Sequence, residues 1–321
     1  MAKVFLKSLF DGNAGEWELG PYSAFVNSAR HSSHILTDDP AAADIILFTD
    51  AGRDQYTVPV RSAVYQQFWQ KCFIFFDGDC PVPLLPGIYA SIPKRWYDQD
   101  WCKSGFYVHS RHQAFDKLPF QPEPKLLFSF AGSCQNAAIR QKLTEINYPR
   151  FKLIDTQRET SRANQRGDSE TLRRLREQYI RLGKDSKFLL CPRGVGVSSV
   201  RLFEAMAMGR CPVILSDDWV APEGIPWSEF SIRVREKNYR RLPAILEEKE
   251  IEAEKLGQKA REIWQQSFSP TKVFDTAVDA CVDLLNKGAT RRRHVHLLKR
   301  LNYLRWPHLK SFLRGKAFFN A

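Results

Sequence analysis

The sequence predicts an α/β fold of the doubly wound kind, spread over two domains, and three observations predict it. Short apolar runs of strand length alternate with stretches of helical spacing along most of the chain. The segment Leu118–Pro124 places three prolines in seven residues and reads as an extended connector. From Phe188 to Leu215 an apolar run, a glycine loop, a helical stretch and a second apolar run follow one another.

The first strand is predicted at Lys3–Leu9, the second at Asp44–Phe48 and the third at Lys71–Phe76, with helical spacing over Val60–Gln70. After the proline break come a strand at Lys125–Phe130, a glycine turn and a helix near Asn136–Ile146. A strand at Arg150–Ile154 leads to the polar stretch Gln157–Ser169, which reads as an exposed loop, and to a charged amphipathic helix at Ser169–Leu182. Strands at Phe188–Cys191, Pro212–Leu215 and Phe230–Val234 complete the pattern. The implied domains are residues 1–122 and 123–286, followed by a basic helical tail, 287–321.

Composition narrows the function classes. The 321 residues suffice for a sizeable core, and no apolar run reaches the length of a membrane span. The first residues carry lysines within a short apolar stretch, unlike a secretory leader. The formal charge of +12 is concentrated at the end: from Lys287 onward there are ten Lys and Arg and no Asp or Glu. The body is therefore nearly neutral, which disfavours a general nucleic-acid surface and points to one basic segment with its own task. Leucines, Trp306 and Phe312 between the charges of residues 290–321 suit an anionic membrane surface. The seven cysteines show no C-x-x-C pair and no zinc spacing, consistent with core thiols in a reducing, cytoplasmic compartment.

The chemistry is concentrated in Phe188–Leu215. Gly194 and Gly196 allow close backbone approach, and Ser198 or Ser199 can cap the next helix. That helix start, at the carboxyl end of a strand, offers free N–H groups to a phosphate, with Arg193 and Arg201 as cations. Glu204, one turn after Arg201, is placed to accept hydrogen bonds from ribose hydroxyls. The spacing fits equally an ordinary βαβ unit with an Arg–Glu surface pair.

Pro192-Arg193-Gly194, Ser199-Val200-Arg201, Glu204-Ala205 and the turn Gly209-Arg210-Cys211-Pro212-Val213 together resemble the nucleotide-sugar half of the exostosin-type glycosyltransferases. The cysteine stands one place later than in the family pattern. Asp217-Asp218-Trp219, Trp227-Ser228-Glu229-Phe230 and Phe128–Gly132 followed by Ile139-Arg140 extend the resemblance, and Thr37–Asp44 carries a weaker one in the first half. The resemblance implies a GT-B architecture, two Rossmann-like domains facing across a cleft. It implies a nucleotide sugar, a UDP-sugar first, held by Gly132, Arg140, Arg193, Gly194, Ser198, Ser199, Arg201 and Glu204. It also implies inverting transfer to a glycan or lipid-linked oligosaccharide acceptor in polysaccharide or cell-envelope synthesis, without a metal or other cofactor. Without the membrane anchor of animal and plant members, it implies a bacterial, cytosolic relative, peripheral on the inner membrane face if the tail binds lipid.

The base that such transfer needs is expected at a strand end of the first domain. Asp54 and Asp50 follow the second strand and are favoured; Asp11, Glu16 and Glu18 follow the first, and Asp77 and Asp79 the third. Asp77-Gly78-Asp79 also resembles a manganese-holding Asp-x-Asp, though it reads first as a turn. His109, His112, Trp96, Tyr97 and Trp101 are further candidates for acceptor contact. Two other readings stay open: a fucosyltransferase-like enzyme using a GDP-sugar, and a catalytically silent glycan-binding or scaffold subunit.

Overall fold

The computed structural model describes residues 1–9, 20–50, 57–79, 81–108 and 124–290. The chain divides into two compact units, Met1–Val108 together with the segment from Val273 onward, and His109–Lys272. Each contains one wholly parallel sheet, as the alternating pattern predicts.

In the first unit six strands lie in the order β2-β1-β3-β4-β5-β6. They are β1 (Lys3–Ser8), β2 (Ile35–Leu36), β3 (Ile45–Thr49), β4 (Cys72–Phe76), β5 (Gly87–Tyr89) and β6 (Cys102–Ser104). Every residue of β3 and β4 is buried, which is why both appear in the sequence as unbroken apolar runs. The short strands β5 and β6 escape sequence reading. Each has three residues, and β6 turns Lys103, only 6% exposed, into the interior. Among its described residues up to 108 the helices are α1 (Pro21–Ala29), α2 (Thr57–Arg61) and α3 (Ala63–Phe68). The last two replace one predicted helix because the Ser62 hydroxyl accepts from the Tyr65 N–H and starts a new one.

In the second unit five strands lie in the order β11-β10-β9-β7-β8: β7 (Leu126–Gly132), β8 (Phe151–Asp155), β9 (Ser186–Pro192), β10 (Cys211–Leu215) and β11 (Ile232–Arg233). The core joins Phe128, Phe130, Phe188, Leu190, Val213 and Leu215 to Leu143, Leu242 and Leu246. The helices are α4 (Ala138–Leu143), α5 (Gln157–Arg166), α6 (Ser169–Lys184), α7 (Val200–Ala207), α8 (Leu242–Glu248) and α9 (Ala253–Ser267).

Two further elements differ from the sequence reading. The polar stretch after β8 is not a loop but the helix α5, ended by Gly167 at φ 64°. It buries only Ala163, so no apolar periodicity announces it; it is held against α6, with Glu159 bonded to Arg174 at 2.7 Å. The other is α10 (Val273–Asn286), which the sequence boundary at 286 sets in the second domain. The structure packs it on the first unit. Phe274 lies against Phe25, with ring centroids 6.2 Å apart. Asp275, Asp279 and Asp283, one turn apart, meet Ser32, His34 and Lys103. His34 accepts from the Ala2 N–H at Nδ1, so its Nε2–H donates to Asp279 at 3.0 Å. These partners lie more than 170 residues away in the chain, beyond the reach of local pattern.

Candidate functional site

The carboxyl edge of the second sheet has a built-in opening. β7 and β9 pair from Leu126 and Ser186 to Ser129 and Leu189. Beyond that point β7 follows β8 as far as Gly132, and β9 follows β10 as far as Pro192. The chain winds outward from β7 in both directions, so this is the topological switch point where doubly wound sheets take ligands.

Splayed strands leave carbonyls without ladder partners, and two arginines take them. Arg201 donates from Nε to Ala131 O at 2.9 Å. Arg140 donates to Arg193 O at 2.9 Å, Pro192 O at 3.1 Å and Ser133 O at 3.2 Å, and lies over the Phe130 ring at 5.3 Å. A planar five-donor fork suits this task. Arg140 thereby ties the loop after β7 to the loop after β9. The glycines here serve that clamp: a Cβ at Gly194 would sit 3.2 Å from Arg140 Nη2, and one at Gly132 would sit 3.1 Å from the Phe130 ring.

Below the opening, Arg201 donates from Nη1 to Glu204 and stacks on Tyr179, 4.0 Å from the ring centroid. Glu204 is 7% exposed. Burial, followed by the Glu204 charge, pushes the Tyr179 hydroxyl well above its usual pKa. The Arg201–Glu204 pair at i,i+3 spacing is thus real, but it joins a buried carboxylate to a half-buried arginine rather than two surface groups. Ser199 occupies the N-cap of α7 with extended backbone (φ −139°, ψ 130°), yet its side chain makes no cap hydrogen bond. Its hydroxyl is buried, 6% exposed for the residue, and has no hydrogen-bond partner. A buried donor left open at a helix start is an unusual expense for a fold and suits an anionic ligand. Ser198, also buried, precedes it.

Arg193 is not a free cation. It donates to Glu236 Oε1 at 2.8 Å, and the Asp217 N–H reaches the same carboxylate at 3.3 Å. Ser216 Oγ donates to Val197 O at 2.7 Å, and Arg233 donates to Ser216 O and Trp219 O at 3.0 and 2.8 Å. The loops after β9, β10 and β11 therefore form one laced rim. Glu236 and Arg233 are absent from the sequence prediction; their partners lie 14 to 43 residues away, so no spacing reveals them.

At the carboxyl edge of the first unit, Asp50 has φ 53° and accepts from Ser8 Oγ at 2.8 Å, Thr49 Oγ1 at 3.2 Å and the Tyr22 N–H at 3.2 Å. It anchors the start of α1, where a carboxylate is favoured. Half-buried Asp77 is different. Burial, then the charges of Asp50 and Asp79, raise its carboxyl to about 7. Asp79 accepts from Tyr107 OH at 2.8 Å. Trp101 is buried and donates to Pro83 O at 2.8 Å, an anchoring role. Asp54, Asp11, Glu16, Glu18, His109, His112 and the tail 291–321 lie outside the described residues. The six described cysteines are buried and free. Among the described residues no group of three or more His, Cys, Asp or Glu side chains could hold a metal ion, and no helix is long and apolar enough to cross a membrane.

Two doubly wound parallel sheets, the second with an arginine-clamped switch point and a buried, unbonded hydroxyl at a helix start, define an α/β protein of the doubly wound class. Residues 95–249 match the family model of the Exostosin GT47 domain, so the resemblance to the exostosin-type family stands over that stretch. A probable glucuronosyltransferase of Oryza sativa is 35% identical over 131 residues, covering 37% of this chain and 31% of that protein. A probable beta-1,4-xylosyltransferase of Arabidopsis thaliana is 36% identical over 112 residues, 33% of this chain and 27% of its own. Exostosin-1 of Drosophila melanogaster is 34% identical over 108 residues, 32% of this chain and 14% of its own. The chain thus spans less than a third of the length of these relatives. Among solved structures, that of Acinetobacter baumannii MurG aligns over 83% of this chain and 77% of its own, at 9% identity and a TM-score of 0.32.

Proposed function

We propose that this protein is a glycosyltransferase that moves a sugar from a nucleotide-sugar donor, a UDP-sugar, to a hydroxyl of a glycan acceptor. The observation that carries the reading is the crevice between β7 and β9, with the guanidinium groups of Arg140 and Arg201, the start of α7 and the unbonded Ser199 hydroxyl at its edge. In an inverting displacement the acceptor oxygen attacks the anomeric carbon, the bond to the diphosphate breaks, and negative charge grows on the departing phosphate. Fixed cations and N–H groups that need no reorganisation favour that charge. Glu204, below the opening, holds Arg201 in place and accepts from the ribose. The acceptor proton goes to a carboxylate. Of the described acids at the first unit's carboxyl edge, Asp77 suits this best, because a base should have a pKa near the working pH and Asp50 is already held by three donors. Asp54 remains the other choice.

The names of the relatives make glucuronosyl and xylosyl donors the first to try. The same reading keeps transfer independent of metal and places the protein in the cytoplasm, with the basic tail on an anionic membrane surface. Calorimetric titration with UDP, GDP, ADP and CMP, with and without manganese, tests it. Preferential UDP binding without metal is expected. A GDP preference would favour the fucosyltransferase-like enzyme, and absence of all nucleotide binding would leave the silent glycan-binding subunit.

A further inference from the structure

The helix α5 carries Arg158, Arg162 and Arg166 at successive i,i+4 positions, so all three share one face over about 12 Å. All three are exposed, and among the described residues none makes an ion pair or a side-chain hydrogen bond. The neighbouring acids are committed elsewhere. Glu159 pairs with Arg174, and Glu170 and Glu177 both pair with Arg173. Asp168 caps α6 through the Thr171 N–H and hydroxyl, and Asp155 accepts from the N–H groups of Cys134 and Gln157. Two consecutive like-charge pairs at i,i+4 work against a helix that buries only one alanine. A row of three exposed cations, of which Arg166 alone feels a nearby carboxylate, that of Asp168, lies on a helix with little other support and fits an external polyanion.

We propose that this face of α5 is a binding surface for an acidic polysaccharide, a chain bearing carboxylates or sulfates along its length. Charge complementarity gives the sign of the partner, and position gives its kind. β8, which leads into α5, pairs Asp155 with Gly132, and the Thr156 N–H donates to Gly132 O at 3.2 Å. The row therefore starts beside the crevice and runs away from it, as a track for a chain rather than a pocket for one ion. A lipid surface fits less well, because α5 has no apolar face to insert. Single-stranded nucleic acid fits less well too, because α5 has no aromatic side chain on which bases could stack. That the chain is an acceptor or product rests on the glycosyltransferase reading; the binding surface itself does not.

The test compares the full-length protein with Arg158→Gln/Arg162→Gln/Arg166→Gln and with a control, Lys94→Gln/Lys237→Gln/Lys255→Gln, which loses the same charge at other exposed positions. Each is titrated with polygalacturonate, neutral dextran, phosphatidylserine vesicles and single-stranded DNA, and separately with UDP. The expected result is loss of about tenfold in polygalacturonate affinity for the α5 variant, the sum of three exposed ion pairs. The control should change less than twofold, dextran should not bind, and UDP affinity should stay level in all three. Equal loss in both variants would overturn the proposal. So would wild-type protein that ignores polygalacturonate, or an α5 variant that loses vesicle or DNA binding while keeping polygalacturonate. Polygalacturonate binding through α5 without any UDP binding would support the surface and remove the transferase reading.

Discussion

Replacing Asp77 by Asn tests the electrostatics of the first unit and, separately, its chemistry. The carboxyl is raised from 3.8 to about 7 by burial, then by Asp50 and Asp79. The native state therefore binds this proton more tightly than the unfolded chain does. Between those two values the native state holds more protons, so the contribution of Asp77 to stability is greatest below the unfolded pKa and is lost as pH rises to about 7. The full shift corresponds to about 4 kcal/mol, and water reaching a half-buried carboxyl reduces this to about 1–2 kcal/mol. Asp77→Asn removes the charge that is disfavoured at high pH. Urea unfolding followed by tryptophan fluorescence should show the variant about 1–2 kcal/mol more stable than wild type at pH 8, and level with it at pH 4. Transfer activity should be lost while UDP affinity is unchanged. Equal stability differences at pH 4 and pH 8 would refute the electrostatic reasoning. Full activity in the variant would refute the assignment as base and return the search to Asp54.

Three further substitutions probe the second unit. Arg140→Lys keeps the charge but cannot fork across three carbonyls; it should lower stability by about 2 kcal/mol in urea unfolding, and an unchanged midpoint would mean that water replaces the clamp. Ser199→Ala removes a hydroxyl with no protein partner, so stability should hold or rise by up to about 1 kcal/mol while UDP affinity falls roughly fivefold; a clear loss of stability would instead make Ser199 a cap of α7. Glu204→Ala strips the half-buried Arg201 of its carboxylate and should cost about 2 kcal/mol in unfolding free energy, with weaker nucleotide binding; unchanged UDP affinity would remove Glu204 from the ribose.

The fold class was legible because strands buried on both faces, such as Ile45–Thr49 and Cys211–Leu215, must be apolar throughout, and parallel strands must be joined by crossovers. The glycine loop, Ser199, Arg201 and Glu204 were legible for a similar reason: a loop-to-helix turn is a local structure, and Arg201 and Glu204 meet within one turn. Arg140, by contrast, showed only through resemblance, and its partners at Ser133, Pro192 and Arg193 appear only once β7 and β9 are side by side. The same holds for the Glu236 carboxylate that takes Arg193 and for the neighbouring charges that lift Asp77. Helix α5, with one buried residue, depends on α6, and α10 joins the first unit through Phe25, His34 and Lys103. By itself the sequence determined whatever rests on periodicity and on neighbours within a turn. The tertiary structure decided which arginine meets a carbonyl and which meets a carboxylate, because hydrogen bonds and charges act over ångströms in space, wherever along the chain their partners stand.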